Sequence, residues 1–179
     1  MEDRRMLDGT IRVMISAEEI DAKLAEMGRA ITEDYQGKDL LMVGVLKGAF
    51  MVMADLARHI ELPVEFDFMA VSSYGASTKS SGVVRILKDL DTEIQGRHLL
   101  IVEDIIDSGL TLRYLMKSLR VRQPASLELA ALLVKDGVKR PPTDIRYEGF
   151  HIPPEFVIGY GLDYAEKYRN LPYVGVVEG

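Results

Sequence analysis

The 179-residue chain has no cysteine. That excludes a disulfide framework, a thiolate zinc site and a cysteine nucleophile, and it suits a reducing cytoplasm. Histidine is scarce: His59, His98 and His151 stand apart and suggest no metal cluster. Basic charge is outnumbered, 22 Lys and Arg against 28 Asp and Glu, for a net charge of −6. General attraction to nucleic acid or to anionic lipid is therefore not expected. Long hydrophobic runs are missing too. The longest, Leu40–Ala54, is interrupted by Lys47 and is too short to span a bilayer. The start, MEDRRMLDGT, has neither the apolar stretch nor the small-residue site of a secretory signal. No internal repeat, low-complexity tract or linker breaks the chain, so a single domain over 1–179 is expected. Phosphate-loop signatures of the G-x-x-x-x-G-K and G-x-G-x-x-G types are also absent.

What is present is an ordinary globular balance, 47% hydrophobic and 28% charged, with nine methionines suited to filling a core. Ser16-Ala17-Glu18-Glu19 has capping-box spacing, and Ile20, Leu24, Met27 and Ile31 fall on one helix face. The pattern predicts a helix to about Tyr35, ended by Gly37. Leu40–Val45, LLMVGV, reads as a strand buried on both faces of a parallel sheet. A helix over Ala49–His59 and a strand over Val64–Val71 follow. Ser72–Gly82 is dominated by Ser, Thr and Gly and reads as a loop, with Val83–Leu87 returning from it. Leu99–Val102 and Leu127–Val134 read as buried strands around a helix over Thr111–Val121. Short strands are expected at Phe156–Ile158 and Val174–Val177. The alternation predicts an α/β fold, a mostly parallel sheet of about five strands flanked by helices. Ligands in such sheets bind at the carboxyl ends of strands, here after Val45, Val102 and Val134.

The densest chemistry lies in Leu99–Leu112, LLIVEDIIDSGLTL. Glu103, Asp104 and Asp107 place three carboxylates within five residues. A strand end with a helix cap explains one Asp, but the mutual repulsion of three is costly unless a cation or a sugar offsets it. Ser108, Gly109 and Thr111 sit where the chain turns into a helix, whose free N–H groups and dipole favour a phosphate. Glu103 and Asp104 suit ribose hydroxyls or a hydrated magnesium ion, and Asp107 is placed to accept a proton.

Val102–Gly109, VEDIIDSG, resembles the phosphoribosyl pyrophosphate motif of type I phosphoribosyltransferases. In detail it is similar to the hypoxanthine-guanine branch of purine salvage, over about Ile15 to Val177. The resemblance implies a type I phosphoribosyltransferase-like fold, with a core over about 37–135 and a small hood from about 1–15 and 136–179. It implies transfer of 5-phosphoribosyl from phosphoribosyl pyrophosphate to hypoxanthine or guanine, with Mg2+, in a cytoplasmic homodimer or homotetramer. Glu103, Asp104, Ser108, Gly109, Leu110 and Thr111 would hold the ribose phosphate, with Asp107 as the base. Lys47 and Gly48, after a peptide that is often cis in the family, would bind pyrophosphate together with Arg169. Lys135 would donate to the purine 6-oxo group, Phe156 would stack on the ring, and the Val157 backbone would bond its edge. Asp163 would lie near the exocyclic edge and hold a second magnesium through water, Glu103 and Asp104 holding the first. Ser73 and Tyr74 would begin a lid, with Gly75 and Gly82 as hinges. Other readings of the same pattern are a xanthine or pyrimidine phosphoribosyltransferase, or a nucleotide-sensing RNA- or DNA-binding regulator on this fold. The acidic balance and short chain weigh against the regulator.

Overall fold

Alternating helical and extended patterns build two sheets in the computed structural model, which describes residues 9–73, 84–137 and 144–178. The main sheet has six strands: β2 (Leu40–Leu46), β3 (Val64–Ser73), β4 (Val84–Lys88), β5 (His98–Ile106), β6 (Ser126–Lys135) and β7 (Tyr147–Ile152). Their order is β4-β3-β2-β5-β6-β7. All neighbours run parallel except β3 and β4. Three further strands, β1 (Thr10–Ile15), β8 (Val157–Ile158) and β9 (Val174–Glu178), form a small antiparallel sheet in the order β1-β9-β8.

Helix α1 (Ala17–Asp34) starts at the expected capping box. Ser16 Oγ accepts from the Glu19 N–H, and the Glu19 carboxylate accepts from the Ser16 N–H. Its buried face is Ile20, Leu24, Met27 and Ile31, as the periodicity predicts, and it joins α2 (Phe50–Arg58) on one side of the sheet. Helix α3 (Leu110–Arg120) buries Leu112, Leu115, Met116 and Leu119 on the other side. The side chains of β5 alternate between these cores. Leu100 and Val102 pack with α1 and α2, while Leu99 and Ile101 pack with α3. The small sheet adds Ile15, Val157, Val174 and Val176 to the α1–α2 core. Among the described residues no helix is long and apolar enough to cross a membrane.

Three boundaries differ from the sequence pattern. The main sheet has six strands rather than about five, because Tyr147–Ile152 pairs with β6 instead of joining the hood. Only Tyr147 and Ile152 of that edge strand are buried, so it shows no apolar run. Second, Thr10–Ile15 is a strand, held by β9. Third, β5 does not stop at Val102. Its ladder with β6 continues through Glu103, Ile105 and Ile106, which lifts the acidic pair into the strand itself.

Candidate active site

The carboxyl ends of β2 and β5 open into one cleft of about 220 Å³. Glu103, Asp104, Asp107, Ser108, Gly109 and Thr111 line it, with Gly48 opposite. Thus the three acids converge on one space, and the end of β2 meets the end of β5 there.

Close backbone approach makes this possible. A Cβ added at Gly48 would lie 1.8 Å from Asp104 Oδ2, so any side chain there would displace the carboxylate. The peptide between Leu46 and Lys47 is cis. On its other side Gly48 meets the turn after β8. Gly161 has φ +97, and a Cβ on it would lie 2.1 Å from the Gly48 carbonyl oxygen. Only glycine at both positions lets the two chains touch. Tyr160, next to Gly161, donates its hydroxyl to the Asp55 carboxylate of α2, which fastens this turn to the main sheet's helix layer.

Electrostatics in the cleft are unbalanced toward negative charge. Burial pushes the Glu103 carboxyl well above the usual range, and the neighbouring Asp104 pushes it further. Asp104 is raised too, first by burial, although the Ile105 N–H and the Arg169 charge pull it down. Burial thus outweighs the compensation that Asp104 receives, and a cation or a set of hydroxyl donors would offset the remaining negative charge of the pair.

The turn into α3 is the opposite. Gly109 caps the helix at φ 71 and, as a glycine, makes no side-chain cap bond to the first turn. The first helical bond runs from the Arg113 N–H to the Gly109 carbonyl, so the N–H groups of Leu110, Thr111 and Leu112 have no partner within the helix. The Leu110 side chain is 52% exposed, which leaves its N–H as the group it can offer an anion.

More sequence candidates arrive from β6 and from the segment around and after β8. Lys135, last in β6, places Nζ 3.1 Å from Asp107 Oδ2. Its side chain is largely buried whereas Asp107 is mostly exposed. Arg169 donates to the Gly161 carbonyl at 2.7 Å and pairs with Asp163 at 3.3 Å. Its Nε–H is buried and has no partner among the described residues. Phe156, just before β8, is 56% exposed and meets Tyr164 edge-on, with centroids 6.1 Å apart. Val157 is buried, so its backbone is what it can present. Ser73 closes β3; Tyr74, Gly75 and Gly82 lie outside the described residues.

One residue that the sequence does not single out is central here. Glu166 bonds Lys47 at 2.9 Å and approaches Arg169 at 3.5 Å, while its N–H donates to Asp163 Oδ2 at 2.9 Å. A glutamate in a Tyr-rich tail carries no sequence signal of its own; its position comes from the left-handed turn at Ala165 and Glu166, with φ 49 and 63. Among the described residues no group of three or more His, Asp or Glu is gathered to hold a metal by itself.

Comparison with known proteins agrees over nearly the whole chain. The phosphoribosyl transferase domain family matches residues 16–165. The hypoxanthine-guanine phosphoribosyltransferase of Mycobacterium avium is 55% identical over 172 residues, 93% of this chain and 85% of that protein. The protein of the same name from Bacillus subtilis (strain 168) is 53% identical over 167 residues, 93% of each. A solved hypoxanthine phosphoribosyltransferase from Staphylococcus aureus superposes with TM-score 0.89 at 45% identity, covering 93% of this chain and 91% of that one. A hypoxanthine phosphoribosyl transferase from Trypanosoma cruzi superposes with TM-score 0.89 at 41% identity, covering 97% and 94%.

Proposed function

This chain belongs to the phosphoribosyltransferase family, and from that premise we propose that its cleft joins hypoxanthine or guanine to the 5-phosphoribosyl group of phosphoribosyl pyrophosphate, releasing pyrophosphate. The observation that carries this reading is the pairing of a surplus of carboxylate with an uncapped helix N-terminus in one cleft. The free N–H groups at Leu110, Thr111 and Leu112 grip the 5-phosphate, and the Ser108 and Thr111 hydroxyls add donors. Glu103 and Asp104 accept from the ribose hydroxyls. As the bond at the anomeric carbon breaks, positive charge grows on the sugar, and these fixed negative groups stabilise it.

The acidic pair also fits a divalent cation. Both carboxyls hold their protons more tightly than free acids do, so negative charge there wants a partner. Glu103 and Asp104 would hold such an ion, and magnesium usually takes the rest of its oxygens from substrate and water rather than from a full protein cage. A magnesium ion there would neutralise charge on the departing pyrophosphate. Asp163 already accepts the Glu166 N–H and pairs with Arg169, which leaves lone pairs for the water shell of a second ion.

Pyrophosphate is met by Lys47, the Gly48 backbone and Arg169, whose orphaned Nε–H gains an acceptor. The purine stacks on the exposed ring of Phe156, and the Val157 backbone bonds its edge. Lys135 donates to the 6-oxo group; an ammonium cannot accept from the 6-amino group of adenine, which is therefore rejected. When Lys135 turns to the base it leaves Asp107, whose freed carboxylate takes the imidazole proton as the new bond forms. The active form is a cytoplasmic homo-oligomer.

The test offers hypoxanthine, guanine, xanthine, adenine and uracil separately with magnesium and phosphoribosyl pyrophosphate, and identifies each nucleotide by mass. IMP and GMP are expected in quantity. Turnover of uracil or adenine in preference to these would defeat the reading.

A further inference from the structure

The two cations assigned to pyrophosphate are already held by an internal anion. Glu166 gives one carboxylate oxygen to each: Oε2 lies 2.9 Å from Lys47 Nζ, and Oε1 lies 3.5 Å from Arg169 Nη2. Its place is fixed locally, because its own N–H is tied to Asp163 and the backbone there is left-handed. Yet the Glu166 and Lys47 side chains are about two-thirds exposed, at 65% and 67%. Exposed ion pairs of this kind add little to stability. The contact therefore makes poor sense as a strut between the end of β2 and the hood turn. It makes better sense at the place where an incoming anion would need the same two cations.

We propose that Glu166 is a built-in competitor for the pyrophosphate subsite, holding Lys47 and Arg169 until the anion arrives and taking them back when it leaves. The inference rests on the phosphoribosyl-transfer reading above and adds to it a residue that sets pyrophosphate affinity. A phosphate oxygen pair spans two cations much as a carboxylate does, but brings more charge. Pyrophosphate thus displaces Glu166, and the displaced carboxylate speeds departure by competing for the vacated groups. Glu166 is a positioning residue here: it touches Lys47 and Arg169 and not the reacting carbon. In keeping with this, the Lys47 ammonium and then the Arg169 charge hold its carboxyl below the usual range.

The experiment uses the full chain with Glu166→Gln, which keeps the shape and removes the charge, and Glu166→Ala beside it. Magnesium pyrophosphate is titrated calorimetrically, and its product-inhibition constant is measured in the forward assay. Loss of the exposed Lys47 pair and the half-exposed Arg169 pair predicts pyrophosphate binding about three- to thirtyfold tighter in both variants. The KM for phosphoribosyl pyrophosphate should fall alongside, and the difference from wild type should shrink at high salt. Unchanged or weaker pyrophosphate binding overturns the proposal, the weaker case assigning Glu166 to orienting the cations instead. Melting temperatures close to wild type confirm that the variants fold. If wild type makes no nucleotide from any base, the functional reading fails by itself. If it does and neither variant tightens pyrophosphate, the inference alone fails.

Discussion

At the scale of single residues, the roles proposed for Lys135 and Asp107 would link substrate choice to catalysis. The ammonium lies 3.1 Å from the carboxylate of the proposed base. Asp107→Asn keeps the size and removes the proton acceptor. Turnover should fall about 10²- to 10⁴-fold, the usual worth of a placed base, while nucleotide affinity changes little. Comparable losses in kcat and in nucleotide binding, the latter measured by calorimetry, would mean that Asp107 only binds. Lys135→Gln exchanges a pure donor for a group that both donates and accepts. Losing a charged hydrogen bond costs about 1.5–3 kcal/mol, so kcat/KM for hypoxanthine should drop about ten- to hundredfold. Adenine should gain relative to hypoxanthine, because the new side chain can accept from its amino group. A competition assay with both bases measures the ratio; an unchanged preference would remove Lys135 from base selection.

At the scale of elements, the turn from β5 to α3 carries the phosphate proposal, and Gly109 is its hinge point. With φ 71 it sits where a side chain costs about 1–2 kcal/mol. Gly109→Ala should lower stability by about that amount in a denaturant melt and raise the KM for phosphoribosyl pyrophosphate more than it changes kcat. A loss of stability with no change in KM would separate the turn from substrate binding. This same segment was the most legible part of the sequence. Three acids beside small residues make a local pattern that can be read from one segment, although the cleft around it also needs the end of β2 and Gly48. The helices were legible for a similar reason: the face of α1 and its capping box are set by spacing along one segment. The strands that escaped notice depend on neighbours. Strand β7 looks polar because it is an edge, and Gly149 is there to let it press on β6, where a Cβ would lie 2.2 Å from the Leu132 carbonyl oxygen. The extra length of β5 comes from pairing with β6, which no local pattern in VEDII reveals. Glu166 was hidden for the same reason: its partner Lys47 lies 119 positions away, and tertiary contacts such as that of Gly48 with Gly161 bring the two segments together.

At the scale of the whole molecule, the cleft lies where the two cores meet, with Ile105 from the side of one and Val45, Ile106 and Leu112 from the other, and its acids oppose the packing that creates it. Glu103 continues a strand whose preceding residues are fully buried, so its charge is held in poorly solvated surroundings. Because its folded-state pKa is raised, the folded chain keeps a proton that the unfolded chain has lost once pH passes the ordinary carboxylate value, about 4 to 4.5. Linkage then makes stability fall as pH rises from there toward the raised value, and the penalty is fully present above it. Glu103→Gln removes the titration and the charge. The variant should therefore melt higher than wild type at pH 7, by about 0.5–2 kcal/mol or about 2–6 °C. The gap should close near pH 4, where wild type is protonated, and activity should fall as stability rises. Magnesium with pyrophosphate should narrow the gap at pH 7 from the wild-type side, since a bound cation offsets the same charge. Melting curves from pH 4 to 8, with and without that ligand pair, measure all of this. Parallel profiles for the two proteins would show that the Glu103 charge is already solvated, and would remove the physical reason for placing a cation or a ribose beside it.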